Sequence, residues 1–340
     1  MPGANNGSYK NITIESLLYT DLDKVIISII MPIVVTIGII GNVMTIIVIA
    51  SKKCMHTPVN VYFANLAIAD TMFLIVSPAL IWNSYLKSPV NDLYDIGEMP
   101  NWVCPLYDFV STTGETIALT TIFWLSIERY MAVCRPLKFQ KSGFRNFSRS
   151  IKICGIIWLL CLSWNAPYLV ATHTITEEVH WPLIAVNILP NFRTYCRRDG
   201  SYLAILWYIK RALTLLIIVI IVALYTAMLI SLRKSRIAAA SSTRPPRYKS
   251  EMKVFLTAFV TVTVYVVCIA PYYIYRALGQ FKYITKDNSP LYIFYLMAYI
   301  NSSVNPVIYN AMNYNFRRAF CDVYCSKCNR KKNKPTNVQI

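Results

Sequence analysis

Seven stretches of this chain are predominantly apolar for about 20 residues or more, at 25–50, 60–86, 102–134, 151–171, 203–232, 253–278 and 290–312. A helix needs about 20 such residues to cross a hydrocarbon core of about 30 Å. The polar segments between them are mostly short, which predicts antiparallel neighbours in one bundle. Two are longer. Residues 172–201 hold the partly alternating run Thr172-His173-Thr174-Ile175-Thr176, which predicts a β-hairpin over one mouth of the bundle. Residues 233–250 are basic, carry Ser241-Ser242 and Pro245-Pro246, and read as a flexible loop. Ser289-Pro290 supplies a start signal for the seventh span.

The expected fold is therefore all-α: a polar tail at 1–24, a seven-helix transmembrane bundle at 25–312, a short amphipathic eighth helix on the membrane surface at 313–325, and a basic tail at 326–340. Composition agrees. Hydrophobic residues make up 56% and charged residues only 15%, against about 25% charged in soluble domains. No repeat of solenoid period recurs.

The net charge of +18 is unevenly placed. Lys and Arg concentrate at 52–53, 129–152, 233–253 and 317–334, and the only acids within or adjoining these segments are Glu128, Glu251 and Asp322. Positive loops mark the cytoplasmic side, so the pattern predicts an outside N-terminus and an inside C-terminus. It attributes the basic surplus to topology and anionic membrane lipids rather than nucleic acid. The first 24 residues lack a cleavable signal pattern, so the first span serves as the targeting signal. Asn6 and Asn11 open glycosylation motifs in the external tail.

Among the ten cysteines, Cys104 and Cys196 are the two predicted outside, where a disulfide can persist. Cys321, Cys325 and Cys328 follow the amphipathic stretch Phe316-Arg317-Arg318-Ala319-Phe320, a setting for palmitoylation. A zinc site from Cys325 and Cys328 competes with that reading but lacks a second ligand pair.

Several polar groups sit where hydrocarbon should exclude them. Asp70 is mid-span, accompanied by Asn42, Asn65, Asn301, Ser302 and Asn305, which predicts one inward-facing network able to hold a cation. Pro78, Pro167, Pro271 and Pro306 interrupt spans and permit hinges. Arg129 ends the third span, about 37 Å along a helix from Cys104, so the two should lie at opposite membrane faces. A charge so placed is a functional candidate in itself.

Taken together, Gly41-Asn42, Asn65-Leu66-Ala67-Ile68-Ala69-Asp70, Trp102-Val103-Cys104, Glu128-Arg129-Tyr130, Trp158 and Asn305-Pro306-Val307-Ile308-Tyr309 resemble the rhodopsin-like (class A) G-protein-coupled receptors over residues 25–325. The Cys196 loop, Ser77-Pro78 and the stretch from Asn310 to Arg318 resemble the neuropeptide-receptor branch. The resemblance implies a plasma-membrane receptor, not an enzyme, that binds an extracellular peptide and activates a heterotrimeric G protein. It also implies an arrestin and a receptor kinase as partners. Arg129 would pair at rest with Glu128 and Glu251, then meet Tyr225 and Tyr309 on activation, while Tyr130 completes the triplet and Leu137 touches the G protein. Asp70, Asn301, Ser302 and Asn305 would hold a modulatory sodium ion. The chain departs from the family at three positions: Ile269 replaces the span-six tryptophan, Ile217 the span-five proline, and Ala118 the span-three sodium serine. Tyr265 and Tyr272 are the candidates to replace the missing relay.

Ser111 stands where amine receptors carry aspartate, and Tyr299 where opsins carry the retinal lysine. The residues expected to bind ligand are instead Asp108, Glu115, Lys210, Arg211, Tyr272, Arg276 and Tyr299, in a mouth that also holds Trp102, Tyr107, Tyr273 and Tyr275. A lipid or other small molecule is the alternative ligand. A transporter is the alternative from another class, and it lacks the expected repeated halves with broken helices. No nucleophile–base pair or metal constellation suggests catalysis.

Overall fold

The structure, a computed structural model, describes residues 18–91, 95–97, 99–141, 146–179, 189–240, 248–280 and 289–324, excluding the side chains of 201–204, 235–254 and 276–290. Among them are seven helices long and apolar enough to cross a membrane. These are α1 (Asp21–Ser51), α2 (Pro58–Lys87), α3 (Val103–Cys134), α4 (Phe147–Ala171), α5 (Ser201–Ala240), α6 (Tyr248–Gln280) and α7 (Ser289–Met312). An eighth, α8 (Tyr314–Tyr324), follows at once and buries Phe316 and Ala319 against the bundle.

Local chemistry sets the boundaries. The first helix begins four residues earlier than hydropathy alone predicts, because Thr20 and Asp23 form a reciprocal capping box. Thr57 caps α2 ahead of Pro58, and Asn146 caps α4. The helix α4 is broken at Ala166-Pro167 before a final turn. Residues 233–250 do not form the continuous loop expected of them. Helix α5 runs on to Ala240 through an alanine-rich segment with no breaker, and α6 starts at Tyr248 just after Pro245-Pro246. At about 1.5 Å per residue, the 40 residues of α5 span about 60 Å, about twice the thickness of a hydrocarbon core.

Lipid gives helices little hydrophobic reason to associate, so close approach through small residues matters. A Cβ on Gly38 of α1 would lie 2.1 Å from Ser303 Oγ and 2.7 Å from Leu74 Cδ1, and Ser303 Oγ donates to the Val34 carbonyl at 3.0 Å. Gly114 brings α3 close to α2, less tightly, with a Cβ there 3.2 Å from the Ala69 carbonyl oxygen. The core falls into two main clusters. One surrounds Tyr62, Phe63, Leu66, Tyr225 and Tyr309; the other surrounds Tyr19, Met31, Leu74, Tyr292 and Tyr299.

The predicted hairpin is present as β1 (Thr172–Glu178) and β2 (Phe192–Arg198), antiparallel, with Thr172 opposite Arg198 and Thr174 opposite Cys196. It lies between the end of α4 and the start of α5. Ile96 N–H donates to the Thr194 carbonyl at 2.8 Å, which ties β2 to the α2–α3 connection. Outside the spans, Arg193 hydrogen-bonds Glu177 and holds its carboxyl below the usual carboxylate range.

Candidate functional site

Two residues of β2 fasten the hairpin to α3. Cys196 is disulfide-bonded to Cys104 at the start of that helix. Two residues on, and so on the same strand face, Arg198 grips Asp108 with Nε at 2.8 Å and Nη2 at 2.7 Å. Asp108 is one helical turn beyond Cys104, and Thr172 adds a third bond at 3.2 Å. Burial lowers the Arg198 pKa, but the bonds and charge of Asp108 more than offset this and raise it. Asp108 was expected to meet ligand. It is 3% exposed and its carboxylate is already taken inside the protein.

Beneath the hairpin lies a cavity of about 200 Å³. That is far above the roughly 10–15 Å³ one water needs, so a ligand side chain or terminal group can enter it. Of the residues named above as ligand-binding candidates, Glu115, Lys210, Arg211 and Tyr272 line it. Tyr299 does not; it is fully buried, with its hydroxyl 3.3 Å from Ser77 Oγ. The mouth expected around Trp102 is also only partly assembled, for Trp102 is 63% exposed and Tyr107 donates to the Ser77 carbonyl.

Glu115 links three helices. Its Oε2 accepts from Lys210 Nζ of α5 at 3.3 Å, and its Oε1 accepts from the Tyr273 hydroxyl of α6. Arg211 lies over the Tyr273 ring at 4.2 Å and the Trp207 ring at 4.9 Å. Among the proposed substitutes for the missing tryptophan relay, Tyr265 and Tyr272 border the cavity with Ile269, but the hydroxyl bonded to Glu115 is that of Tyr273.

The cavity reaches Asp70, Asn301 and Ser302. Asn305 Nδ2 donates to Asp70 Oδ2 at 2.8 Å, and Asn42 Nδ2 reaches across from α1 to the Ser302 carbonyl at 2.9 Å. All six polar residues singled out in the spans are buried, yet they do not form one network. Asn65 stands apart, donating to Thr121 at 2.7 Å and accepting from Trp158 at 2.7 Å. Five residues at about 100° each turn it about 140° from Asp70 on the same helix, so it faces α3 and α4.

At the other end of α3, Arg129 Nη2 donates to Glu128 Oε1 at 2.7 Å, with the two side chains 12% and 1% exposed. Tyr130 packs at the edge of the core, and Leu137 projects from the short helical segment Pro136–Lys141 at 76% exposure. Tyr309, behind Pro306, stacks on Phe63 at 4.1 Å and meets Phe316 of α8 at 6.0 Å, while Tyr225 packs on Phe255 at 5.8 Å. The side chains of Glu251 and Arg276 lie outside the described residues, as do Asn6, Asn11, Cys325 and Cys328. Cys321 is half-buried on α8.

Sequence reasoning missed Arg198, Thr172, Tyr168 and Trp207. For Arg198 the signal was there: Cys104 and Asp108 share one helix face, and Cys196 and Arg198 share one strand face.

The profile of the family described as 7 transmembrane receptor (rhodopsin family) matches residues 41–309. The chain is 27% identical over 300 residues to somatostatin receptor type 4 of Rattus norvegicus, covering 86% of this chain and 71% of the relative. It is 27% identical over 316 residues to neuromedin-U receptor 2 of Homo sapiens, covering 85% and 69%. With somatostatin receptor type 5 of Rattus norvegicus the match is 24% over 329 residues, covering 95% and 84%.

Proposed function

The chain belongs to the rhodopsin family of seven-transmembrane receptors, and on that premise we propose that it is a plasma-membrane receptor whose agonist is an extracellular neuropeptide and whose effector is a heterotrimeric G protein. Its relatives are named for the peptides somatostatin and neuromedin U. The observation that carries the reading is the cavity under the clamped hairpin, whose aromatic and charged walls join α3, α5 and α6 through Glu115. Its size suits one end or one side chain of a peptide, with the hairpin above to meet the rest.

In this reading the N-terminus is outside and the C-terminus inside, supported by the positive charge gathered at the Arg129 end. Arg129 held by Glu128, with Tyr309 stacked on Phe63, is the resting arrangement. Ligand at Glu115, Lys210, Arg211 and Arg276 shifts α6 through Tyr273, and the paired Arg129 is released toward the G protein, with Tyr225, Glu251 and Leu137 around it. Arrestin and a receptor kinase then read the activated cytoplasmic face. Asn6 and Asn11 carry glycans, and Cys321, Cys325 and Cys328 carry palmitate near α8.

For sodium, Asp70, Asn301, Ser302 and Asn305 offer a carboxylate, amides and a hydroxyl, which fit a hard cation. The α3 side closes with the methyl of Ala118, so two helices rather than three supply the ligands.

A peptide-library screen on the full-length receptor, read by calcium and cAMP, tests the function. Glu115→Gln and Arg276→Gln should each reduce potency sharply while surface expression holds. Unchanged potency in both variants counts against this pocket. A native extract that keeps its agonist activity after trypsin counts against a peptide and favours a lipid or other small molecule.

A further inference from the structure

The charges of the cavity are unevenly satisfied. Lys210 and Glu115 neutralise each other, and Glu115 spends both oxygens, one on Lys210 and one on Tyr273. Arg198 is gripped by Asp108. Asp70 accepts from Asn305 and forms no ion pair among the described residues. Arg211 is different. Its Nε and Nη1 are buried, and no described group accepts a hydrogen bond from either. Tyr272 takes a hydrogen bond from its guanidinium, and Tyr273 and Trp207 cover it with ring faces, which attract a cation but leave Nε and Nη1 unused.

Buried donors without acceptors are costly, and each in a native protein calls for an explanation. An arginine wedged between aromatic rings on a cavity wall, beside an already neutralised Lys210, is suited to a planar anion. We propose that the group of the agonist entering this cavity is a carboxylate, either a free C-terminus or an acidic side chain, and that it docks on Arg211. The proposal rests on the receptor reading of this cavity and adds the sign of the ligand. It reverses the simplest expectation for Glu115, which is an internal counter-ion here and not the acceptor for a basic ligand group. A carboxylate drawn to Arg211 also competes for Lys210, which loosens Glu115 and with it Tyr273 on α6.

Two measurements on the purified full-length receptor test this. The first uses small probes of matched shape, N-acetylphenylalanine and its neutral amide, in thermal unfolding. The acid should raise the melting temperature of the wild type at millimolar concentration and the amide should not. Arg211→Gln should abolish the acid's effect and Arg211→Lys should keep part of it. The ligand-free melting temperature shows whether each variant is folded. The second screens a peptide library built as pairs of free acids and amides, with Glu and Asp paired against Gln and Asn. In the wild type, active members should lose on the order of 10- to 100-fold in potency when the carboxylate is neutralised, the range of a charge-assisted hydrogen bond. In Arg211→Gln the members of each pair should become equipotent.

Acid and amide probes that act alike, or an acid effect that survives Arg211→Gln, overturn the proposal. So do active peptides whose potency depends on a basic group and on Glu115 instead. If the acid probe binds through Arg211 while no peptide of either form activates, the carboxylate site stands and the peptide reading fails. If peptides activate without regard to charge, the reverse holds.

Discussion

Replacing Asp108 by asparagine keeps the shape of the side chain and removes the charge that Arg198 grips. Both bonds from the guanidinium are short, 2.8 and 2.7 Å, and the Asp108 side chain is only 4% exposed. The disulfide between Cys104 and Cys196 already closes a separation of 92 residues. The ion pair therefore bears little further loop-closure entropy, and its contact energy is nearly all available. Stranding one member of a fully buried pair costs about 3–5 kcal/mol. The Arg198 side chain is 44% exposed, however, so once freed it reaches water, and the lower range of about 1.5–3 kcal/mol for charge-assisted bonds applies. We take about 2 kcal/mol. At about 2 °C per kcal/mol for a large domain, Asp108→Asn should lower the melting temperature of the purified receptor by roughly 4 °C with the disulfide intact. A double-mutant cycle with Arg198→Gln isolates the pair, and the second substitution should cost little once the first is made. A coupling energy below about 0.5 kcal/mol would refute the clamp and leave Arg198 as a residue that merely reaches toward solvent.

Glu128→Gln removes the charged partner of Arg129; if that bond is worth about 1.4 kcal/mol, ligand-independent G-protein signalling should rise roughly tenfold, and unchanged basal cAMP and calcium would remove Glu128 from the switch. Gly38→Ala places a Cβ 2.1 Å from Ser303 Oγ and 2.7 Å from Ser303 Cβ, so α1 and α7 must part; thermal unfolding should register a loss of about 1–3 kcal/mol. Asn65→Ala leaves the Trp158 indole N–H without its acceptor and should cost about 1–3 kcal/mol, with sodium sensitivity retained because Asn65 is separate from the Asp70 group. Serine at both Cys104 and Cys196 should cost about 2–5 kcal/mol in thermal unfolding and abolish agonist response at the cell surface.

Much of this receptor was legible in the order of its residues. Seven apolar runs set seven helices because lipid offers the backbone no hydrogen bonds, and only a helix of about 20 residues satisfies itself across that thickness. The alternation at Thr172–Thr176 foretold β1, and the two external cysteines foretold the disulfide, since both follow from short-range periodicity and compartment. What periodicity cannot fix is how helices rotate against one another. Asn65 and Asp70 look like members of one polar set until the helix turns them to different neighbours. Asp108 looks free to meet a ligand until the fold brings Arg198 within 2.7 Å from 90 residues away. Glu115 likewise appears as a lone acid in the sequence. Only packing decides that Lys210 and Tyr273 take its two oxygens, because a buried carboxylate in a low-dielectric interior needs partners and the helix rotations bring these two within reach. That Arg211 keeps Nε and Nη1 without an acceptor was decided by that same packing.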